Sequence, residues 1–375
     1  MKKCFALILS FVILFSFTPA VRAVDEPETG AEAFVLYCVE NRKIILSKNE
    51  NKRMKPASTT KLMTVLLTLE EAAKNDRAVT FTEEMAAEGS SMYLQFGEQV
   101  RLSDLAAGMM MASGNDAANA AAIATAGSLE KFALRMNARA ADIGMEHTHF
   151  VTPSGLDDDA HYTTAYDMAL LMEAGLRNSA FADLTYQKSV GVQFVKPSDK
   201  RITYTNHNRL LRLCEDCIGG KTGYTDAAGR CLVSAARRNG LTLICVTLHD
   251  RSDWNDHIAL YNYGFSRYCG YRSEDSSLLL DLPCVGGVSD SVTVTGDSDV
   301  SLVLKSGEAE QIQKKTVLDS FVYAPVKQGE TLGRIDYLLH GRVIHSTPLT
   351  AAEDVKRRTV KKSLWKTIKE WFSYG

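Results

Sequence analysis

The chain has 375 residues, 45% hydrophobic and 23% charged, enough for one large domain and a smaller one. The formal net charge of -2 provides no field that would draw the chain to nucleic acid, and no nucleic-acid partner is expected. Charge is unevenly spread, and the C-terminus is strongly basic.

In chain order, Lys2 and Lys3 precede an apolar run over residues 5–17, and Val21 and Ala23 fit a small-residue cleavage site. Residues 1–23 therefore read as a signal peptide, with an uncleaved anchor as the alternative. The run is shorter than the roughly 20 residues a membrane span needs. Export removes Cys4 and leaves seven cysteines, so at least one is free or paired between chains. Cys214 and Cys217 form a lone C-x-x-C, open to a local disulfide or to two ordinary half-buried thiols. No second ligand pair accompanies them, as a zinc site would require.

Residues 33–40 have the β-rich look of a strand, and 43–46 pair back with it. Leu62, Val65, Leu66 and Leu69 recur at helical spacing and predict a helix over 58–73. The Ala- and Met-rich stretch 103–141 predicts several packed helices broken near Gly114 and Gly127, and 164–176 predicts another. Asn239-Gly240 joins the apolar runs 231–236 and 241–248 as a hairpin, and an amphipathic helix follows over 253–268.

After residue 275 the pattern turns β-like, with strands expected at 291–295, 300–304, 317–322 and 332–339. In the tail, Lys356, Arg357, Arg358, Lys361, Lys362, Lys366 and Lys369 oppose only Asp354 and Glu370. Val360, Leu364, Trp365, Ile368, Trp371 and Phe372 fall on one helical face. A basic face opposite aromatics describes a helix lying on a membrane surface, with docking on the protein itself as the other reading. The expected fold class is α+β. An antiparallel sheet with a large helical region occupies 24–272, a small β-sandwich-like unit 276–352 and an amphipathic anchor helix 354–375.

Three short motifs occur in order: Ser58-Thr59-Thr60-Lys61, Ser113-Gly114-Asn115 and Lys221-Thr222-Gly223. Each is weak alone, because Ser128 to Lys131 and Ser363 to Lys366 repeat the first pattern. Context selects Ser58, which follows Pro56-Ala57 at a helix start, where i and i+3 share a face. Lys61 can then take the hydroxyl proton of Ser58, because a serine is a poor nucleophile without a base. A free lysine titrates near about 10.4, and a second cation lowers that value; Lys221 is the natural one. Ser113 could relay a proton between the two lysines. Asn115 offers a donor and an acceptor to a peptide, and Gly223 permits close approach of a substrate strand. Lys221 and Thr222 together suit a carboxylate.

The first and third motifs, with S-D-N as the usual second, mark class A β-lactamases and penicillin-binding proteins. Here glycine stands in the middle of the second motif. The flanking stretches Pro56-Ala57-Ser58-Thr59-Thr60-Lys61-Leu62-Met63-Thr64, Ala112-Ser113-Gly114-Asn115-Asp116, Pro153-Ser154-Gly155-Leu156-Asp157 with His161-Tyr162-Thr163-Thr164, and Gly220-Lys221-Thr222-Gly223-Tyr224-Thr225 are more specific. Together the sequence resembles the low-molecular-mass penicillin-binding proteins that are D-alanyl-D-alanine carboxypeptidases. The resemblance covers almost the whole mature chain. It implies a β-lactamase/transpeptidase-like domain with Ser58, Lys61 and Ser113 as catalytic residues. Asn115, Lys221, Thr222 and Gly223 would bind substrate, and the backbone N–H groups of Ser58 and Tyr224 would form the oxyanion hole. It implies peptidoglycan stem peptides ending in D-Ala-D-Ala as substrate, β-lactams as covalent inhibitors, a lipid-facing C-terminal helix, and neither cofactor nor metal.

The rivals have little support. His147, His149, Asp157, Asp159 and His161 lack any zinc-binding spacing, and His249-Asp250 lacks a G-x-S-x-G elbow. A class A β-lactamase needs a further glutamate, for which Glu173 and Asn178 are a loose match. A non-catalytic sensor of wall peptides would be expected to lose the motifs, which are intact.

Overall fold

The computed structural model describes residues 25–359. The signal-peptide segment and residues 360–375 of the expected anchor lie outside the described residues. The first unit opens with β1 (Ala33–Cys38), β2 (Lys43–Lys48) and α1 (Lys61–Ala72). The short strands β3 (Ala78–Thr80) and β4 (Gln99–Arg101) follow, then α2 (Leu102–Met111), α3 (Asn115–Ala126), α4 (Leu129–Ile143), α5 (Ala165–Leu176) and α6 (Ser179–Tyr186). Next come β5 (Ser189–Gln193), β6 (Arg201–Thr205), α7 (Leu210–Leu213), β7 (Cys217–Thr225), β8 (Gly229–Arg238), β9 (Leu241–Leu248), α8 (Asp253–Arg267) and β10 (Tyr268–Ser273).

The main sheet is antiparallel, in the order β2-β1-β9-β8-β7. Every residue of β1 and β9 is buried. Strand side chains alternate between faces, so total burial means that both faces are covered. Ala33, Val35 and Tyr37 enter a core shared with the helical region, where Met109, Met110 and Met111 are also buried. Phe34, Leu36 and Cys38 pack instead with Leu260, Tyr261 and Phe265 of α8. Asn239 and Gly240 both take positive φ, as a two-residue hairpin between β8 and β9 requires. Strand β7 ends the row and leaves one edge without a strand partner.

The second unit comprises β11 (Leu280–Val285), β12 (Ser291–Gly296), β13 (Val300–Lys305), β14 (Gln313–Leu318), β15 (Val322–Tyr323), β16 (Thr331–Leu339) and β17 (Arg342–Ala351). Six of these strands form one sheet, and β13 pairs with β10 in another. Tyr271 and Leu302 of that pair pack on Leu282, Val292, Ile335 and Tyr337. Residues 268–272, expected at the end of the first domain, pair as a strand with Ser301–Lys305. Two expectations need correction. The strand expected at 317–322 is the end of β14, a break, and the start of β15. The anchor helix was expected to begin at 354, but Val355 bridges to Val326 and Arg357 to Gly287, so the start of the tail is extended and belongs to the β-unit. Backbone pairing with the sheet, which a charge count cannot register, sets the course of these residues.

Candidate active site

Pro56 leads into a single 3-10 turn (Ala57–Thr60) that runs directly into α1. The turn places Ser58 and Lys61 one above the other, with Lys61 Nζ 3.0 Å from Ser58 Oγ. Lys61 is fully buried. Its amine also donates to Asn115 Oδ1 at 2.6 Å and to the Ser154 carbonyl at 2.7 Å. Burial holds its pKa well below the usual lysine value; the nearby Lys221 charge adds to this, and Asp116 opposes it.

Ser113 sits between α2 and α3 with φ of 58°. Its Oγ accepts from Lys221 Nζ at 3.0 Å, and Lys221 also donates to the Thr222 carbonyl at 2.8 Å. Burial lowers Lys221 to about 7. Ser58, Ser113, Thr222 and Tyr224 line one cavity of about 410 Å³. All eight expected site residues therefore converge, from three segments far apart in sequence.

The geometry gives two of these residues contacts within the protein as well. Asn115, expected to meet the substrate, accepts from Lys61 through Oδ1 and donates one Nδ2–H to the Glu88 carbonyl at 2.6 Å. It holds Lys61. Gly223 was expected to admit a substrate strand. A Cβ there would lie 3.0 Å from Pro56 O, Ser58 N and Thr59 N, so the close approach is between β7 and the nucleophile turn. Ser113, expected to relay a proton between the two lysines, bonds Lys221, while Asn115 and the Ser154 carbonyl hold Lys61.

Several contributors escaped the sequence reading. The segment carrying Ser154 is held by Thr64 Oγ1, which donates to the Pro153 carbonyl at 2.6 Å, and by His161. His161 Nδ1 accepts from the N–H groups of Val151 at 3.1 Å and Thr152 at 3.2 Å, so its proton is on Nε2, 2.9 Å from Thr60 Oγ1. Both ring nitrogens are thus committed within the protein. Asp116 accepts from Ser91 Oγ and from the N–H groups of Met92 and Leu94, fixing the loop that carries Ser90 to the cavity. His207, Arg230 and Trp254 also line the cavity. Arg230 is held bidentately by Asp253, at 2.6 and 3.2 Å. Asp116, Ser154 and His161 lie in the stretches that carry the family resemblance, but their partners were not legible there; nothing local marks the others.

The remaining candidates fall elsewhere. Glu173 accepts from Tyr37 Oη at 2.6 Å and pairs with Arg42 and Arg177, so it serves an ion-pair network and not the Ser58 site. The His249 ring contacts the Ala228 carbonyl at 3.1 Å. The seven described cysteines, Cys214 and Cys217 among them, are free thiols.

The family model for D-alanyl-D-alanine carboxypeptidase matches residues 20–252, and that for the penicillin-binding protein 5 C-terminal domain matches 274–357. D-alanyl-D-alanine carboxypeptidase DacF of Bacillus subtilis (strain 168) is 28% identical, covering 100% of both chains. DacC of Escherichia coli (strain K12) is 30% identical over 97% of this chain and 95% of its own. Penicillin binding protein 5 from Haemophilus influenzae superposes with a TM-score of 0.68 at 28% identity, covering 89% of this chain and 100% of that one. With a serine and a buried lysine in contact, and family models matched over both units, the chain is a serine hydrolase belonging to the D-alanyl-D-alanine carboxypeptidase family.

Proposed function

We propose that this chain removes the terminal D-alanine from peptidoglycan stem peptides through an acyl-enzyme on Ser58, and that β-lactams acylate the same oxygen. The observation that carries this reading is the 3.0 Å contact between a serine hydroxyl and a lysine amine whose pKa burial lowers. Asn115 Oδ1 and the Ser154 carbonyl can only accept, so they take both hydrogens of a neutral Lys61 amine. Its lone pair is then left facing Ser58, whose O–H donates into it.

In the proposed sequence Ser58 Oγ attacks the carbonyl of the penultimate D-alanine and its proton moves to Lys61. The oxyanion would meet the N–H groups of Ser58 and Tyr224; Gly223, next to Tyr224, already packs against the Ser58 N–H. Collapse breaks the peptide bond and expels the amine of the terminal D-alanine. Lys61 would hand the proton it took from Ser58 to that amine, with Ser113, bonded to Lys221, relaying it, and so return to its neutral form. Water then attacks the ester, with Lys61 again as base. Charged Lys221 and the Thr222 hydroxyl suit the substrate carboxylate at the cavity.

Residues 1–23 act in this reading as an export signal, which places the enzyme outside the cytoplasmic membrane. Residues 360–375 tether it there, with four lysines against Glu370 and two tryptophans opposite. Residues 24–267 would carry the chemistry and 268–358 would form the second unit. Incubation with a diacyl-lysyl-D-Ala-D-Ala peptide, followed by mass spectrometry, should detect free D-alanine with the native chain and none with Ser58→Ala. Equal release by both would overturn the assignment. Loss of residues 360–375 should move the protein from membranes to the soluble fraction, and unchanged partitioning would remove the tether.

A further inference from the structure

Large apolar side chains crowd one corner of the C-terminal β-unit. Strand β11 ends in parallel pairing with β15, which sets Val285 opposite Tyr323. Phe321 packs edge-on against Tyr323, with ring centroids 5.3 Å apart. Just past β11, the Val288 N–H donates to the Lys356 carbonyl and the Arg358 N–H to the Gly286 carbonyl, both at 2.8 Å. Val285 (48%), Val288 (60%), Phe321 (46%) and Tyr323 (70%) are all exposed around this turn. A contiguous exposed patch of this kind marks a contact surface more often than an accident.

The charges beside the patch indicate what it contacts. Lys356, Arg357 and Arg358 line the same turn, and all are exposed. Asp290 and Asp319 stand nearby, but Asp290 is taken by Arg358 at 2.9 Å. Apolar and aromatic side chains beside cations match the boundary between lipid headgroups and acyl chains.

The course of the chain narrows the choice further. Trp365 follows Arg358 by seven residues, which reach at most about 25 Å when fully extended. Indoles seated in a lipid interface would therefore hold this corner close to the same surface.

We propose that the corner formed by Val285, Val288, Phe321 and Tyr323, with Lys356 and Arg357, is a second lipid-contact surface. It seats the β-unit directly on an anionic bilayer. The proposal rests on the reading of residues 360–375 as a tether and adds a second point of contact to it. Two points of contact would fix the height and tilt of the enzyme more closely than one.

The test uses the full chain and vesicles of phosphatidylcholine with phosphatidylglycerol, against phosphatidylcholine alone. Val288→Asp combined with Phe321→Ser should weaken partitioning to the anionic vesicles about tenfold, with labelling by a fluorescent penicillin unchanged as the folding control. Ile344→Ser, at the opposite end of β17, should have no effect. Trp365→Ser with Trp371→Ser reports on the tail separately. Binding that falls for the tail variant but not for the corner variant overturns the corner and leaves the tether standing. A native chain that ignores anionic vesicles overturns both.

Discussion

The Lys61 amine lies closer to Asn115 Oδ1, at 2.6 Å, than to Ser58 Oγ, at 3.0 Å. The asparagine is therefore the clamp that aims the base. Asn115→Ala should lower the rate of acylation by benzylpenicillin about a hundredfold, with little change in the unfolding midpoint. Asn115→Asp should act differently. A carboxylate at that distance favours charged Lys61, so the acid limb of the acylation pH profile should move to higher pH. A profile unmoved by Asn115→Asp would exclude the clamp.

The two buried lysines predict a bell-shaped dependence of kcat/KM on pH. Activity should fall on the acid side as Lys61 gains a proton, since only the neutral amine is a base. It should fall on the alkaline side as Lys221, near 7 in the free enzyme, loses the charge that attracts the substrate carboxylate. The two steps belong to the pair jointly, because each charge acts on the other. Lys221→Gln should lower kcat/KM and flatten the alkaline limb; an alkaline limb that persists would assign it to another group.

Gly223→Ala tests the contact between β7 and the nucleophile turn. Its Cβ would lie 3.0 Å from three backbone atoms that cannot swing aside. The expected cost is about 1–3 kcal/mol in urea unfolding, with at least about a tenfold loss of penicillin acylation. A variant with native stability and native acylation would show that β7 moves freely.

His161 and His257 predict acid sensitivity of the fold. Burial lowers them from 6.5 to about 4 and about 3. The unfolded chain therefore binds their protons first, and stability is full above about 6.5 and lost as pH falls toward the folded values. Each contributes a slope of roughly 1.4 kcal/mol per pH unit inside that window. Urea unfolding at successive pH values measures it. His161→Gln should be less stable at neutral pH and lose part of the slope.

What the sequence determined by itself was local. Ser58 and Lys61 share a helical turn because residues three apart always do. Asn239-Gly240 makes a hairpin because few other dipeptides accept two positive φ values. Helices α2 to α4 and the break at Gly114 follow from apolar period and from glycine. The joint occurrence of three motifs carried the family and its chemistry.

The tertiary structure decided everything that depends on which distant atoms meet. Lys221 finds Ser113 across 108 positions, and Lys61 finds the Ser154 carbonyl across 93. A backbone carbonyl carries no sequence signature, so no pattern could have named that partner. Asn115 became a clamp because folding brings Glu88 to its other end. The same limit misplaced the start of the tail. Residues 354–358 were joined to the helix by their charge alone, while the sheet offers Val355 and Arg357 backbone partners that no local count contains. Periodicity measures what one segment prefers in isolation, whereas pairing and burial are set by the surfaces that the rest of the chain brings to it.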